Sequence, residues 1–171
     1  YVDDMIKAVK KEAEAFGIEL PEIWIEPGRS LVGDAGTTLY TVGSHKTVPD
    51  VREYIAVDGG MSDNIRPALY EAKYEGAIAN NMNAALTTNY TVAGKLCESG
   101  DKIIEDIKLP EVQTGDILAT FCTGAYGYSM ASNYNRVGRP AVVFVENGNH
   151  QLAVKRESYE DMAQLDIELK W

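Results

Sequence analysis

Beyond Gly36 the chain breaks into short strand-like runs, and no other property limits its fold so strongly. The runs are Thr38 to Val42, Glu53 to Val57, Ala77 to Ala79, Tyr90 to Cys97, Asp116 to Cys122, Ala141 to Glu146 and Gln151 to Arg156. Turn signals such as Asp58-Gly59-Gly60, Gln113-Thr114-Gly115-Asp116 and Asn147-Gly148-Asn149 separate them. This pattern predicts an all-β domain, a barrel or sandwich, over residues 37–171. Asn147-Gly148 predicts a hairpin, because both residues tolerate positive φ. Ser158 and the acidic residues after it predict a short closing helix that runs to about Leu165.

Residues 1–36 have another rhythm. Val2, Met5, Ile6, Val9, Ala13 and Phe16 recur at three- and four-residue spacing, with Lys7, Lys10, Lys11, Glu12 and Glu14 on the other face. That predicts an amphipathic helix ended by Gly17. Ile23-Trp24-Ile25, after Pro21, is long enough only for a buried strand, and Glu26-Pro27-Gly28-Arg29 then turns the chain into a helical run at Ser30-Leu31-Val32. Helix, buried strand, turn and helix make a parallel α/β unit, and such a strand needs neighbours on both edges and helices on both faces. The expected fold is therefore mainly β, with residues 1–36 as the last helix-strand-helix remnant of a larger parallel barrel or sheet. Opening inside a helical pattern, the chain reads as the C-terminal piece of something longer.

Twenty-six acidic against sixteen basic residues give a net charge of −10. That charge repels phosphate backbones and anionic lipid surfaces, so neither nucleic acid nor membrane is an expected partner. No window approaches the roughly 18 apolar residues of a membrane span, and the opening Tyr-Val-Asp-Asp-Met has no signal-peptide character, which makes the cytoplasm the expected compartment. Cys97 and Cys122 stand far apart without C-x-x-C spacing, and neither His45 nor His150 lies near them. No disulfide and no metal site is expected.

Four places carry chemistry. Gly28 lets backbone approach an anion and Arg29 adds a positive fork, although the same residues also make an ordinary strand-to-helix turn. Arg66 and Tyr70, four apart, share one face of a helical turn and converge on a carboxylate, unless Arg66 is a surface arginine before Pro67. Tyr126, between Gly124 and Gly127, is either presented by its loop or packed as one of ten tyrosines. Cys97-Glu98-Ser99-Gly100-Asp101 sets a thiol beside two carboxylates at a strand exit. With an ordinary pKa of about 8.5, a thiol there is suited to giving up and regaining a proton, the alternative being a small buried side chain. Cys122, between Phe121 and Thr123 in mid-strand, reads as a small buried hydrophobe.

In chain order, Glu26-Pro27-Gly28-Arg29, Asp58-Gly59-Gly60-Met61, Asn64-Ile65-Arg66-Pro67-Ala68-Leu69-Tyr70, Cys97-Glu98-Ser99-Gly100-Asp101 and Gly124-Ala125-Tyr126-Gly127-Tyr128-Ser129 span nearly the whole chain. Together they resemble the pyridoxal-phosphate-dependent decarboxylases of the alanine-racemase-like fold, and within them the branch acting on diaminopimelate. The resemblance implies an N-terminal (β/α)8 barrel that carries pyridoxal 5'-phosphate, of which residues 1–36 are the end. It further implies a β domain over residues 37–171 and a homodimer with shared active sites. The implied reaction is decarboxylation of meso-2,6-diaminopimelate to L-lysine and carbon dioxide, the last step of lysine biosynthesis. Glu26, Pro27, Gly28 and Arg29 would lie at the cofactor phosphate, with Arg29 also reaching the substrate. Arg66, Tyr70 and Glu98 would hold the substrate's distal end, Tyr126 would touch cofactor and substrate, and Cys97 would protonate the α-carbon from the partner subunit.

The distal end of meso-diaminopimelate carries both signs of charge, which Arg66 and Glu98 match, whereas ornithine-type relatives have an aspartate after the cysteine. A decarboxylase for ornithine, arginine or carboxynorspermidine is the neighbouring reading, and a non-catalytic β-barrel association module is the reading of a different class. The family's Schiff-base lysine, glycine-rich phosphate loop and ring-stacking histidine have no counterpart in this chain, so alone it is expected not to decarboxylate.

Overall fold

The computed structural model of the chain describes residues 1–170. Helix α1, Val2–Phe16, forms where the apolar spacing predicts it and stops at Gly17, whose φ of 61° returns its N–H to Glu14 O. The Ile18 N–H then donates to Ala13 O at 3.1 Å, closing the helix end. The next segment corrects the expectation for residues 23–25. Ile23-Trp24-Ile25 is not a buried strand but irregular chain, with Trp24 87% exposed, because among the described residues no strand lies beside it to accept its backbone bonds. The helical run beyond is a single 3-10 turn, Arg29–Leu31.

Six strands make one sheet: β1 Thr38–Val48, β2 Arg52–Val57, β3 Gly76–Ile78, β4 Thr88–Ala93, β5 Lys102–Leu109 and β6 Ile117–Thr120. Their order is β3-β6-β1-β2-β4-β5. Every neighbouring pair is antiparallel except β2 and β4, which run parallel. The two edges nearly meet. A Cβ on Gly76 in β3 would sit 3.4 Å from Ile104 Cδ1 in β5, so the sheet curls into an almost closed barrel. A register shift in β1 between Val42 and His45 supplies part of the bend.

Tyr40 and Val42, Ile55 and Val57, Tyr90 and Val92, and Leu118 all face the barrel interior and are buried. Burying each aliphatic side chain contributes about 1.5–3 kcal/mol, and these residues hold the framework on which the loops stand. The β1 residue His45 sits on the barrel wall, with Nε2 2.8 Å from Glu53 Oε2.

Strands β7, Val142–Glu146, and β8, Asn149–Val154, form a separate hairpin. As predicted, its turn uses positive φ at Asn147 (50°) and Gly148 (78°). Helix α2, Arg66–Tyr70, follows β2, and helix α3, Tyr159–Ala163, opens with a Ser158–Asp161 capping box. Among the described residues no helix is long and apolar enough to cross a membrane.

Several elements differ from expectation, and β1 runs on to Val48 where the sequence predicts an end at Val42. β4 ends at Ala93, which puts Cys97 in the loop to β5. β5 itself was not anticipated. Cys122 lies beyond β6 with φ 56°, half-exposed rather than buried in mid-strand, and its thiol donates to Asp34 Oδ1 at 3.1 Å.

The connection that matters for the site joins the chain before β1 to the chain after β6. The Thr123 N–H donates to Gly36 O and the Gly124 N–H to Gly33 O, both at 3.0 Å. A Cβ on Gly124 would run into the Val32 carbonyl, so the approach needs glycine there.

Candidate functional site

This backbone contact delivers Tyr126 to the Glu26–Arg29 turn. A Cβ on Gly28 would stand 2.5 Å from Tyr126 Oη, so the bare backbone of residue 28 is what makes room for the phenol. Helix α2, Arg66–Tyr70, forms the opposite wall. The Arg66 guanidinium carbon lies 5.2 Å from the Tyr70 ring centre and 5.6 Å from that of Tyr126. One cation between two phenol rings is held by cation–π attraction in a fixed orientation. Arg66 Nε is buried without a hydrogen-bond partner among the described residues, as are both side-chain polar atoms of neighbouring Asn64. Such groups are costly unless something supplies the missing bonds.

Arg29 completes this wall. Its Nη2 donates to Cys122 O at 2.5 Å and its Nη1 to Ala125 O at 3.5 Å, while its guanidinium sits 5.5 Å from the Tyr74 ring centre. The side chain thereby fixes the path of the loop that leads to Tyr126. Glu26 and Pro27 are exposed in the irregular stretch just ahead. The Asp34 carboxylate, accepting from Cys122, pushes that thiol's pKa upward.

Cys97 and Glu98 belong to a second group. Cys97 is exposed, and its N–H donates to Asn135 Oδ1 at 2.9 Å. Glu98 Oε1 accepts from the Gly100 N–H and the Ser99 hydroxyl, and Oε2 from the Tyr134 hydroxyl at 3.4 Å. These bonds, that from Gly100 foremost, hold the Glu98 carboxyl below its usual range, so it stays anionic. Tyr134 is pushed upward by partial desolvation and by the Glu98 charge.

A buried carboxylate joins the two groups. Asp101, 4% exposed, accepts from the Met61 N–H at 2.6 Å and from the Leu96 N–H at 2.7 Å. It thus ties the loop carrying Cys97 to the Asp58–Asp63 turn that leads into α2. A Cβ on Gly60 or Gly94 would collide with it. On the same turn, Asp63 accepts from the Gly60 N–H at 2.8 Å and from the Tyr40 hydroxyl at 2.6 Å. Burial raises the pKa of both Tyr40 and Asp63.

The structure therefore brings Gly28, Arg29, Arg66, Tyr70 and Tyr126 to one place, and sets Cys97 and Glu98 with Tyr134 and Asn135 in another. Sequence reasoning named Asp101 and Asn64 only as members of motifs, without these partners, and missed Tyr134 and Asn135. The signal for Asn135 was present, because an Asn in the Ser132-Asn133-Tyr134-Asn135 run tolerates left-handed backbone and bonds nearby peptides.

Residues 1–124 match the family model for the pyridoxal-dependent decarboxylase C-terminal sheet domain. The diaminopimelate decarboxylase of Bacillus subtilis is 68% identical over 170 residues, which cover 99% of this chain and 39% of that protein. The crystal structure of diaminopimelate decarboxylase from M. jannaschi superposes with a TM-score of 0.85 at 39% identity, covering 98% of this chain and 37% of that one. The diaminopimelate decarboxylase of Helicobacter pylori, solved in complex with L-lysine, has a TM-score of 0.75 at 35% identity over 82% of this chain and 34% of that one. The chain spans about two-fifths of the length of the curated relatives it matches. With most of its length under that family model, and with a mainly β sheet nearly closed on itself, the chain belongs to the pyridoxal-dependent decarboxylases, as their C-terminal sheet domain.

Proposed function

We propose that this chain forms part of a pyridoxal-phosphate-dependent decarboxylase that converts meso-2,6-diaminopimelate into L-lysine and carbon dioxide. The observation that carries the reading is Arg66 held between the Tyr70 and Tyr126 rings while the Tyr126 hydroxyl fills the space over Gly28. The names of the relatives given above, diaminopimelate decarboxylases, support the same substrate. Residues 1–36 are read as the end of a cofactor-carrying barrel and residues 37–171 as the β domain. The compartment is read as the cytoplasm.

The residues present fit the cofactor. Gly28 leaves an open cradle beside a phenol, and Arg66 Nε lacks a partner, as expected where an anionic group belongs. Glu26, Pro27, Gly28 and Arg29 would hold its phosphate, with Tyr126 against it. Pyridoxal phosphate, when bound, supplies the electron sink that lets the carboxylate leave as carbon dioxide.

The chain's own groups do the rest. Arg66 and Tyr70 take the substrate's distal carboxylate, and Arg29, already anchored on two carbonyls, offers its remaining N–H groups to the substrate. The Glu98 carboxylate takes the distal ammonium. The Cys97 thiol donates its proton to the carbon that has lost carbon dioxide, and the resulting thiolate regains one from solvent. Because Cys97 and Glu98 stand apart from the Arg66 group, they are assigned to the active site of the other subunit in a homodimer.

Turnover by the full-length chain on meso-diaminopimelate, ornithine, arginine and carboxynorspermidine tests this. A clear preference for meso-diaminopimelate is expected, and a preference for ornithine overturns the substrate. Replacing Cys97 with Ala is expected to lower kcat far more than it changes KM.

A further inference from the structure

We propose that Tyr134-Asn135 is a two-residue clamp that positions Cys97 and Glu98, Asn135 fixing the backbone under the thiol and Tyr134 aiming the carboxylate. The inference rests on the reading of Cys97 and Glu98 given above and goes beyond it by assigning what holds them.

The pairing is residue for residue. Asn135 Oδ1 accepts from the Cys97 N–H at 2.9 Å, and the neighbouring Tyr134 hydroxyl donates to Glu98 Oε2 at 3.4 Å. In extended chain two successive side chains point to opposite faces, so one segment cannot ordinarily grip two adjacent residues with two adjacent side chains. Here the backbone departs from that rule. Asn135 has φ 54° and ψ 23°, and Arg136 follows at φ 58°. Two consecutive non-glycine residues in the left-handed region form a disfavoured conformation, which persists only where the surroundings impose it.

Those surroundings are visible on both sides of the dipeptide. Before it, the Ser132 N–H donates to Ser62 O at 2.8 Å, fastening the segment to the turn that leads into α2. The Asn133 side chain donates to Glu157 Oε2 at 2.6 Å and to Val137 O at 3.1 Å. Beyond it, Arg136 Nη2 donates to Asp166 Oδ2 at 2.6 Å. The clamp is thus built on anchored chain, while the loop it grips is exposed at Cys97, Glu98 and Ser99. Asp101 holds the inner side of that loop, and Asn135 holds its outer side directly beneath the thiol-bearing residue.

The test uses the full-length protein and separates the hydrogen bond from the backbone conformation. Asn135→Gly keeps the left-handed backbone and removes the acceptor, whereas Asn135→Asp keeps both. Amide hydrogen exchange at Cys97 is expected to accelerate about tenfold in the Gly variant and to stay within about twofold of the parent in the Asp variant. On meso-diaminopimelate, Asn135→Gly is expected to lower kcat about tenfold with KM little changed, and Asn135→Asp to recover most of it. Tyr134→Phe is expected instead to raise KM severalfold, because Glu98 loses its aim.

Unchanged exchange and unchanged kcat in Asn135→Gly overturn the clamp, as does an Asp variant no better than the Gly variant. Cys97→Ala distinguishes the two levels of the argument. Full turnover in that variant removes the proton-donor role, while the exchange difference between the Gly and Asp variants continues to report on the clamp itself.

Discussion

The hydroxyl of Tyr126 occupies the space that a side chain on Gly28 would need, 2.5 Å from the position of its Cβ. The two residues are far apart in sequence and meet because Gly36 and Gly124 allow the backbones before β1 and after β6 to touch.

Gly28→Ala is therefore expected to push the Tyr126 ring away from Arg66 without damaging the barrel. Tyr126 is 44% exposed, and the clash falls on the far end of its side chain, so the unfolding free energy should change by no more than about 1 kcal/mol, the size of the lost cation–π contact. In the full-length enzyme the apparent affinity for pyridoxal phosphate, measured by fluorescence titration, should fall about tenfold.

Arg66→Lys keeps the charge and loses the plane. A lysine cannot stack between the Tyr70 and Tyr126 rings or present a two-pronged face to a carboxylate. Steady-state kinetics should show KM for meso-diaminopimelate raised by about tenfold to a hundredfold, the size expected for losing one charged hydrogen bond.

Asp101→Ala leaves the Met61 and Leu96 N–H groups without acceptors in a buried place. A loss of about 3 kcal/mol in unfolding free energy is expected from urea titration, and Asp101→Asn, which keeps one acceptor oxygen, should lose about half as much.

Helix α3 should respond to acid. Asp161 is lowered from 3.8 to about 2 by the Ser158 N–H first and by Lys155 second. A carboxyl depressed in the folded state adds stability above its unfolded value, and that stability disappears as pH falls through the folded value. The α3 cap should hold at pH 4 and above and fray between 3.8 and about 2. NMR titration of the Asp161 carboxyl reads the midpoint directly, and Lys155→Ala, which removes the second cause, should move it upward.

What the sequence revealed, and what it hid, follows from how far a pattern depends on distant partners. The helix Val2–Phe16, the Asn147-Gly148 turn and the Ser158 cap are local and were legible. Strand β5 was not, because its burial does not alternate. Ile103 and Ile104 are adjacent and both buried, register shifts interrupt its pairing with β4, and Asp106 has φ 55°. Ile23-Trp24-Ile25 misled for the opposite reason, since an apolar run specifies a strand only where an edge is offered to it. In the candidate site the motif residues were legible, but their division into an Arg66 group and a Cys97 group was not, because backbone contacts across the fold decide it.

The one parallel pairing, Glu53–Ala56 beside Tyr90–Ala93, has a kinetic consequence. It cannot close until the chain from Asp58 to Asn89 has been laid across the barrel, a long loop whose entropy must be lost before the strands gain anything from meeting. Arg66 and Tyr70 ride on that loop. Placing the Arg66 wall and forming the parallel pair are thus one event, and molecules caught before it have neither the β2–β4 pairing nor that wall.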